Sequence, residues 1–147
     1  MAGRTIEERT QHVIERLDGD ADVWIATASR DGRPHLVPLS LYWDGTTIVA
    51  TNPTSSVTTA NVKSTGVARF ALNGSDDVVI IDADVTLVDV TEAGDGLPDR
   101  YAARTGWDPR EQDGEWVYLL ARPERILTWN GPDEIEGRTV MRNGRWL

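Results

Sequence analysis

Hydrophobic positions in this chain recur first at helical spacing and then at strand spacing. Ile6, Val13, Ile14 and Leu17 fall near one face of a 3.6-residue period, which predicts an amphipathic helix over Thr5–Asp18. Thr5 is its expected N-cap, Glu8 completes a capping box three residues on, and Asp18-Gly19-Asp20 ends it. Beyond Val23 the period shortens. Val23–Ala28 reads as a strand, Arg30-Asp31-Gly32-Arg33 as an Asp-Gly turn, and Pro34–Trp43 as the returning strand. Asp44-Gly45 makes a second turn before a strand over Thr46–Thr51. Pro38 removes a ladder donor, so its strand must lie at an edge, at a bulge or beside something other than backbone.

Asn52–Thr65 is rich in Ser, Thr and Asn, and predicts a short helix capped by Ser55 or Ser56 and running to about Ser64. The free N–H groups and dipole at such a helix start suit a phosphate, although a capped surface helix without ligand has the same sequence. Gly66–Asn73 follows as a strand carrying Arg69, which either faces solvent or points into a polar pocket. In the long β-rich run Val78–Val90, Asp82, Asp84 and Asp89 do not keep to one face, so a bulge or bend is expected near Ala83. A helix over Pro98–Arg104 ends at the C-cap Gly106. Strands over Trp116–Ala121 and Arg125–Trp129 flank a bulge or turn at Arg122-Pro123-Glu124. The tail, residues 131–147, holds a short helix around Asp133–Gly137 and an Asn143-Gly144 hairpin. It could pack on its own barrel or on a partner subunit, and the sequence leaves both open.

Composition narrows the function. The 147 residues suit one domain, and a net charge of -9, from 24 acidic and 15 basic residues, argues against nucleic acid or a membrane surface as partner. It leaves room for one local basic pocket. Without cysteine there are no disulfides, zinc–thiolate sites or thiol nucleophiles, and His12 and His35 alone make a poor metal centre. No apolar run approaches the ~20 residues of a membrane span, and the N-terminus is charged, so a cytoplasmic location is expected. The chain contains no G-x-S-x-G elbow, Walker loop, H-E-x-x-H or dinucleotide fingerprint. His35 could act as a base, but it sits beside a turn where a structural histidine serves as well. The strand carboxylates are most simply a solvated face. Any chemistry would therefore come from a bound cofactor.

The order and spacing of several pieces carry a family resemblance. They are Thr27-Ala28-Ser29-Arg30-Asp31-Gly32-Arg33-Pro34-His35, Val37-Pro38, Tyr42-Trp43-Asp44-Gly45, Ala50-Thr51-Asn52-Pro53, and the Ser56-to-Asn61 helix start leading to the strand with Arg69. From about Ile6 to Trp129 the chain resembles the pyridoxamine 5'-phosphate oxidase-like split-barrel flavoproteins. The resemblance implies a mainly β fold, a six-stranded antiparallel split β-barrel with Greek-key order, spanning 1–147 as one homodimeric domain. Residues 1–20 would form the N-terminal helical segment and residues 131–147 the tail. The resemblance also implies FMN or the deazaflavin coenzyme F-420 as cofactor, and a small organic substrate. Carried over by position, Val37, Pro38 and Leu39 would lie along the ring, and Thr51 and Asn52 would meet its edge. Ser56, Thr58 and Asn61 would surround the phosphate, with charge from Arg69. Trp107, Tyr118 or Trp129 would cover the ring from the partner chain. Arg69→Ala is then expected to weaken cofactor binding far more than Lys63→Ala. Relatives commonly place basic residues before the helix asparagine and after the Arg69 strand. This chain has Val57, Thr59, Ala60 and Asp76 in those places, which predicts weaker phosphate binding.

The leading expectation is a flavin- or deazaflavin-dependent oxidoreductase that moves a hydride to or from a small organic molecule. The alternatives are a non-catalytic module binding a flavin or other planar ligand, and a barrel that has lost cofactor binding.

Overall fold

The computed structural model describes residues 3–147; residues 1 and 2 of the expected N-terminal segment lie outside the described residues. Helix α1, Ile6–Gly19, starts with the expected reciprocal cap: Thr5 Oγ1 accepts from the Glu8 N–H, and Glu8 Oε2 accepts from the Thr5 N–H. It buries Val13 and Leu17. Strand β1, Asp22–Ala28, turns at Arg30–Gly32 into β2, Pro34–Ser40, with Asp22 opposite Ser40 and Ala28 opposite Pro34.

The expected strand from Pro34 to Trp43 is in fact two. It breaks at Leu41, whose N–H bonds to Ala21 O at 2.8 Å and whose side chain is fully buried. The break leaves a two-residue β3, Tyr42–Trp43, paired to β4, Ile48–Pro53. The β4 strand begins and ends two residues later than the sequence suggests. Helix α2, Val57–Thr65, is capped by Ser56, and Gly66 in the left-handed conformation closes it at φ 72°. Next come β5, Val67–Ala71, and β6, Val78–Asp89. Helix α3, Leu97–Thr105, ends at Gly106 as expected.

The last long strand, β7, is continuous over Trp116–Trp129, where the sequence suggests two. Its register against β6 slips by one residue between Asp82 and Ala83, so Glu124 is the extra residue of a bulge. The tail forms a single 3-10 turn at Pro132–Glu134 in place of the expected helix. It then forms a hairpin of β8, Thr139–Arg142, and β9, Arg145–Trp146. Strand β8 pairs with β7, and Val140 and Met141 enter the core. The tail therefore packs on its own barrel.

The strand order is β2-β1-β5-β6-β7-β4-β3, antiparallel throughout, with β8 and β9 added beyond β7. The two ends of that path, β2 and β3, are joined by Leu41 alone, so the sheet has to curl back on itself. This is the split barrel, with short β3 and the β8–β9 hairpin added to six principal strands. Val23, Ile25, Phe70, Ile81, Leu119 and Ile126 fill its interior from alternate strand positions. A second, smaller core lies outside the sheet, where α3 sets Tyr101 against Val49 and Tyr118. No helix among the described residues is long and apolar enough to cross a membrane.

Candidate functional site at the split of the barrel

The curl is incomplete. β2 has a ladder only with β1, while β4 pairs with β7 on one side and with β3 only at Ile48 and Val49 on the other. The outer edge of β2 and the Ala50–Pro53 edge of β4 thus lie close together with no ladder between them. Pro38 and Pro53 bring no donor to these edges, as suits strands that do not continue a sheet. Unpaired strand edges leave N–H and C=O groups free for something other than another strand. A flat ligand with a hydrogen-bonding rim is one such partner.

Alternation sorts the side chains at this slot. Val37 and Leu39 are half-buried against the core, whereas Pro38 points outward and is exposed. Thr51 and Asn52 are both buried and, as neighbours on a strand, face opposite ways. Thr51 lies beneath α3, and its hydroxyl is 3.2 Å from Tyr101 Oη. Burial raises the Tyr101 phenol above its ordinary pKa, so that hydroxyl stays protonated at neutral pH. Asn52 is 6% exposed and its amide nitrogen has no partner; Thr54 Oγ1, two residues on, has none either. Two buried donors without acceptors flank the turn from β4 into α2. An unsatisfied buried polar group costs about 1–3 kcal/mol.

That turn delivers the start of α2 to the end of β4. The hydroxyl of Ser56 accepts from the Thr59 N–H at 3.1 Å, so it serves the helix as cap. Val57 and Thr58 retain free N–H groups at the positive end of the helix, with the Val57 side chain 54% exposed beside them. Thr58 and Asn61 side chains are buried, and Asn61 Nδ2 donates to Thr27 Oγ1 at 3.1 Å. Lys63 is in the last turn, at the far end of the helix.

Arg69 is on β5, opposite Ala26, the neighbour of the Thr27 that Asn61 bonds. Its guanidinium pairs with Asp82, its cross-strand neighbour, at 2.5 Å from Nε. The pair sits on the outer sheet face, beside a shallow hollow of about 520 Å³ bedded on Ala26, Ala28 and Val67. The structure therefore brings Val37, Leu39, Asn52 and Ser56 to the split, engages Arg69 with Asp82, and sets Lys63 in the last turn of α2.

The three aromatics differ from one another. Tyr118 is wholly enclosed within its own chain, edge-on to Tyr101, with its hydroxyl unpartnered. Trp107 packs edge-on against Trp116 at 4.9 Å between ring centroids. Trp129 is half-buried, with the Arg138 guanidinium over its ring at 5.9 Å. Two partnerships could not be seen in the sequence: Tyr101 with Thr51, and Arg138 with Trp129. The amphipathic face of α3 hints at a buried Tyr101, but nothing local pairs it with a threonine fifty positions away.

For a flavin-type cofactor the fit is uneven. The free strand edges, the apolar Val37 and Leu39, and the unpartnered Asn52 amide suit a flat ring with polar edges. The free N–H groups of Val57 and Thr58 suit an anionic group. None of Val37, Leu39, Asn52, Ser56, Val57 and Thr58 is cationic, and Arg69 is engaged by Asp82.

Comparisons with known proteins agree with this geometry. No curated protein sequence matches the chain. Among solved structures, a putative pyridoxamine 5'-phosphate oxidase from Listeria innocua superposes with a TM-score of 0.67 at 16% identity, covering 82% of this chain and 98% of that one. A structure described as an F420 reductase gives 0.61 at 19% identity, covering 76% and 93%. A pyridoxamine 5'-phosphate oxidase-related, FMN-binding protein from Nostoc punctiforme gives 0.58 at 15%, covering 88% and 87%. These likenesses establish the fold, which is shared by FMN-binding and F420-related proteins. The sequence profile of pyridoxamine 5'-phosphate oxidase matches residues 10–130. With that match spanning most of its length, the chain belongs to the pyridoxamine 5'-phosphate oxidase family.

Proposed function

We propose that this protein is an oxidoreductase that holds a flavin or deazaflavin in the split between β2 and β4, and passes a hydride between it and a small organic molecule. The observation that carries the reading is the pair of unladdered strand edges ending at two buried, unpartnered donors, Asn52 Nδ2 and Thr54 Oγ1. When bound, the cofactor supplies the redox chemistry. The chain's part is to bind and orient it. Val37 and Leu39 form an apolar wall, the Asn52 amide offers a donor to a carbonyl edge, and the Val57 and Thr58 N–H groups face an anionic tail. The helix dipole supplies attraction in place of a lysine or arginine, at about 0.3–1 kcal/mol in an exposed setting. Phosphate affinity is correspondingly modest.

The working form is a cytoplasmic homodimer. Trp24 and Leu36, 38% and 61% exposed on the outer sheet face, support a second copy covering that face. In that arrangement Trp107 and Trp129 remain available to a cofactor held by the other subunit. Sedimentation at micromolar concentration should give twice the monomer mass, and a monomer would remove this part of the reading.

A second reading, a barrel that no longer takes a cofactor, draws on Arg69 being engaged by Asp82 and on Val57 standing at the helix start. Parallel titrations with FMN and F-420, followed by cofactor fluorescence at fixed salt, separate the two. Saturable one-to-one binding of either supports the proposal. Binding of neither leaves the second reading.

A further inference from the structure

A groove of about 480 Å³ opens between α3 and the outer face of the sheet, away from the split. The volume lies within the roughly 300–1,000 Å³ of small-molecule sites. Its floor comes from neighbouring strands: Val49 opposite Leu120, and Leu120 opposite Thr86. Leu97 of α3 closes it from above, and the Ala93–Asp95 loop forms one lip. The inner end is apolar because it adjoins the Tyr101–Tyr118 core.

The mouth carries both signs of charge. On the sheet side Arg122 and Asp84 are cross-strand partners, yet their charged atoms are 3.8 Å apart and make no hydrogen bond. Glu124 approaches Arg122 only to 3.6 Å. On the helix side Arg100 donates to the carbonyl oxygen of Asp95, and among the described residues no carboxylate pairs with it. Asp95 and Asp44 complete the rim; Asp44 Oδ1 is occupied by the Thr46 and Thr47 N–H groups, and among the described residues no bond is made by its Oδ2. Charges of both signs at the groove are therefore left without a close hydrogen-bonded ion partner among the described residues.

We propose that this groove binds a small zwitterion with an apolar body, of the α-amino-acid type. The apolar end would enter toward Val49 and Leu97, the carboxylate would meet Arg122 and Arg100, and the ammonium would meet Asp84 or Asp44. A simple anion faces three rim aspartates and a simple cation faces two guanidiniums, so a ligand of one sign gains one wall and is opposed by the other. A zwitterion meets both. The inference is independent of the cofactor assignment.

The test is calorimetry and backbone-amide NMR on the full chain, with L-phenylalanine, phenethylamine and 3-phenylpropanoic acid as matched probes. L-phenylalanine is expected to bind one to one and to shift amides of Thr47, Thr86 and Leu97. The amine and the acid should each bind about tenfold more weakly or worse, as loss of a charge-assisted contact implies. Arg122→Gln, at an exposed side chain where folding is not at stake, should weaken L-phenylalanine by a similar factor, and Asp84→Asn likewise. No binding of L-phenylalanine, equal binding of the acid or the amine, or indifference to both substitutions would overturn the proposal.

Discussion

Asn52 poses the sharpest problem at the scale of single residues. Its amide is buried without an acceptor, so in the free protein it costs stability, and an apolar residue of similar size removes that cost. Asn52→Leu should therefore leave thermal stability unchanged or raised, while cofactor affinity falls about tenfold through loss of one hydrogen bond. Differential scanning fluorimetry and a fluorescence titration read the two effects separately; a loss of both would mean Asn52 is structural. Arg69 gives the opposite test. Its pair with Asp82 is exposed, and such pairs contribute about 0.2–1 kcal/mol. Arg69→Ala should cost no more than that in urea unfolding. The sequence could mark Arg69 as an odd residue in an apolar strand, but not its partner. That depends on the register of β5 against β6, which places residue 69 opposite residue 82.

Elements with local signals were the most legible. The capping box at Thr5, the Ser56 cap and the glycine helix end at 106 are all set by residues within a turn of one another, whereas Gly66, which reads as the start of a strand, caps α2 instead. The bulge was legible on β7, where Arg122-Pro123-Glu124 signals one and Glu124 is the extra residue; β6 itself keeps its alternation through Asp82 and Asp84, so no bend falls there. The break at Leu41 was not: it is caused by a hydrogen bond to Ala21 and by burial in the core, both remote in sequence. The continuity of β7 through Pro123 was hidden for a related reason, since pairing to β6 carries the strand across a residue that locally suggests a turn. At this scale α2 depends on its two ends. Ser56→Ala should cost about 1 kcal/mol as a lost N-cap. Gly66→Ala, at φ 72° with open space for a methyl, should cost about 1–2 kcal/mol from backbone strain alone. Equilibrium unfolding measures both, and a negligible cost at Gly66 would contradict the left-handed cap.

Across the whole molecule, the two ends of the described chain are tied by one buried carboxylate. Glu134 accepts from the Arg4 backbone and guanidinium and from the Asn130 N–H, at 2.7–3.0 Å. The Arg4 guanidinium, with those N–H groups, holds the Glu134 carboxyl down at about 2, against 4.5 for the ordinary value. Because the folded pKa is the lower one, the stabilisation is fully present above about pH 4.5. It is lost progressively as pH falls toward 2. Glu134→Gln should cost about 3 kcal/mol at pH 7, as for one partner removed from a buried pair. The gap from wild type should close with acidification through that window, and a gap independent of pH would refute the assignment. The strand order and the split were legible only through family resemblance, because periodicity gives strands without saying which edges stay open.

The claim at the centre of this account is that the start of α2, beside the open edge of β4, receives the anionic part of a flavin-type cofactor. The direct measurement is the affinity of wild type and Ser56→Asp for FMN and for F-420, at equal salt and with unfolding followed in parallel. Aspartate caps a helix as well as serine does, so the fold should keep its stability. It also puts a negative charge where the cofactor's own would sit, so affinity should fall at least tenfold. Unchanged affinity in Ser56→Asp, or no binding of either cofactor to the wild type, would contradict the account.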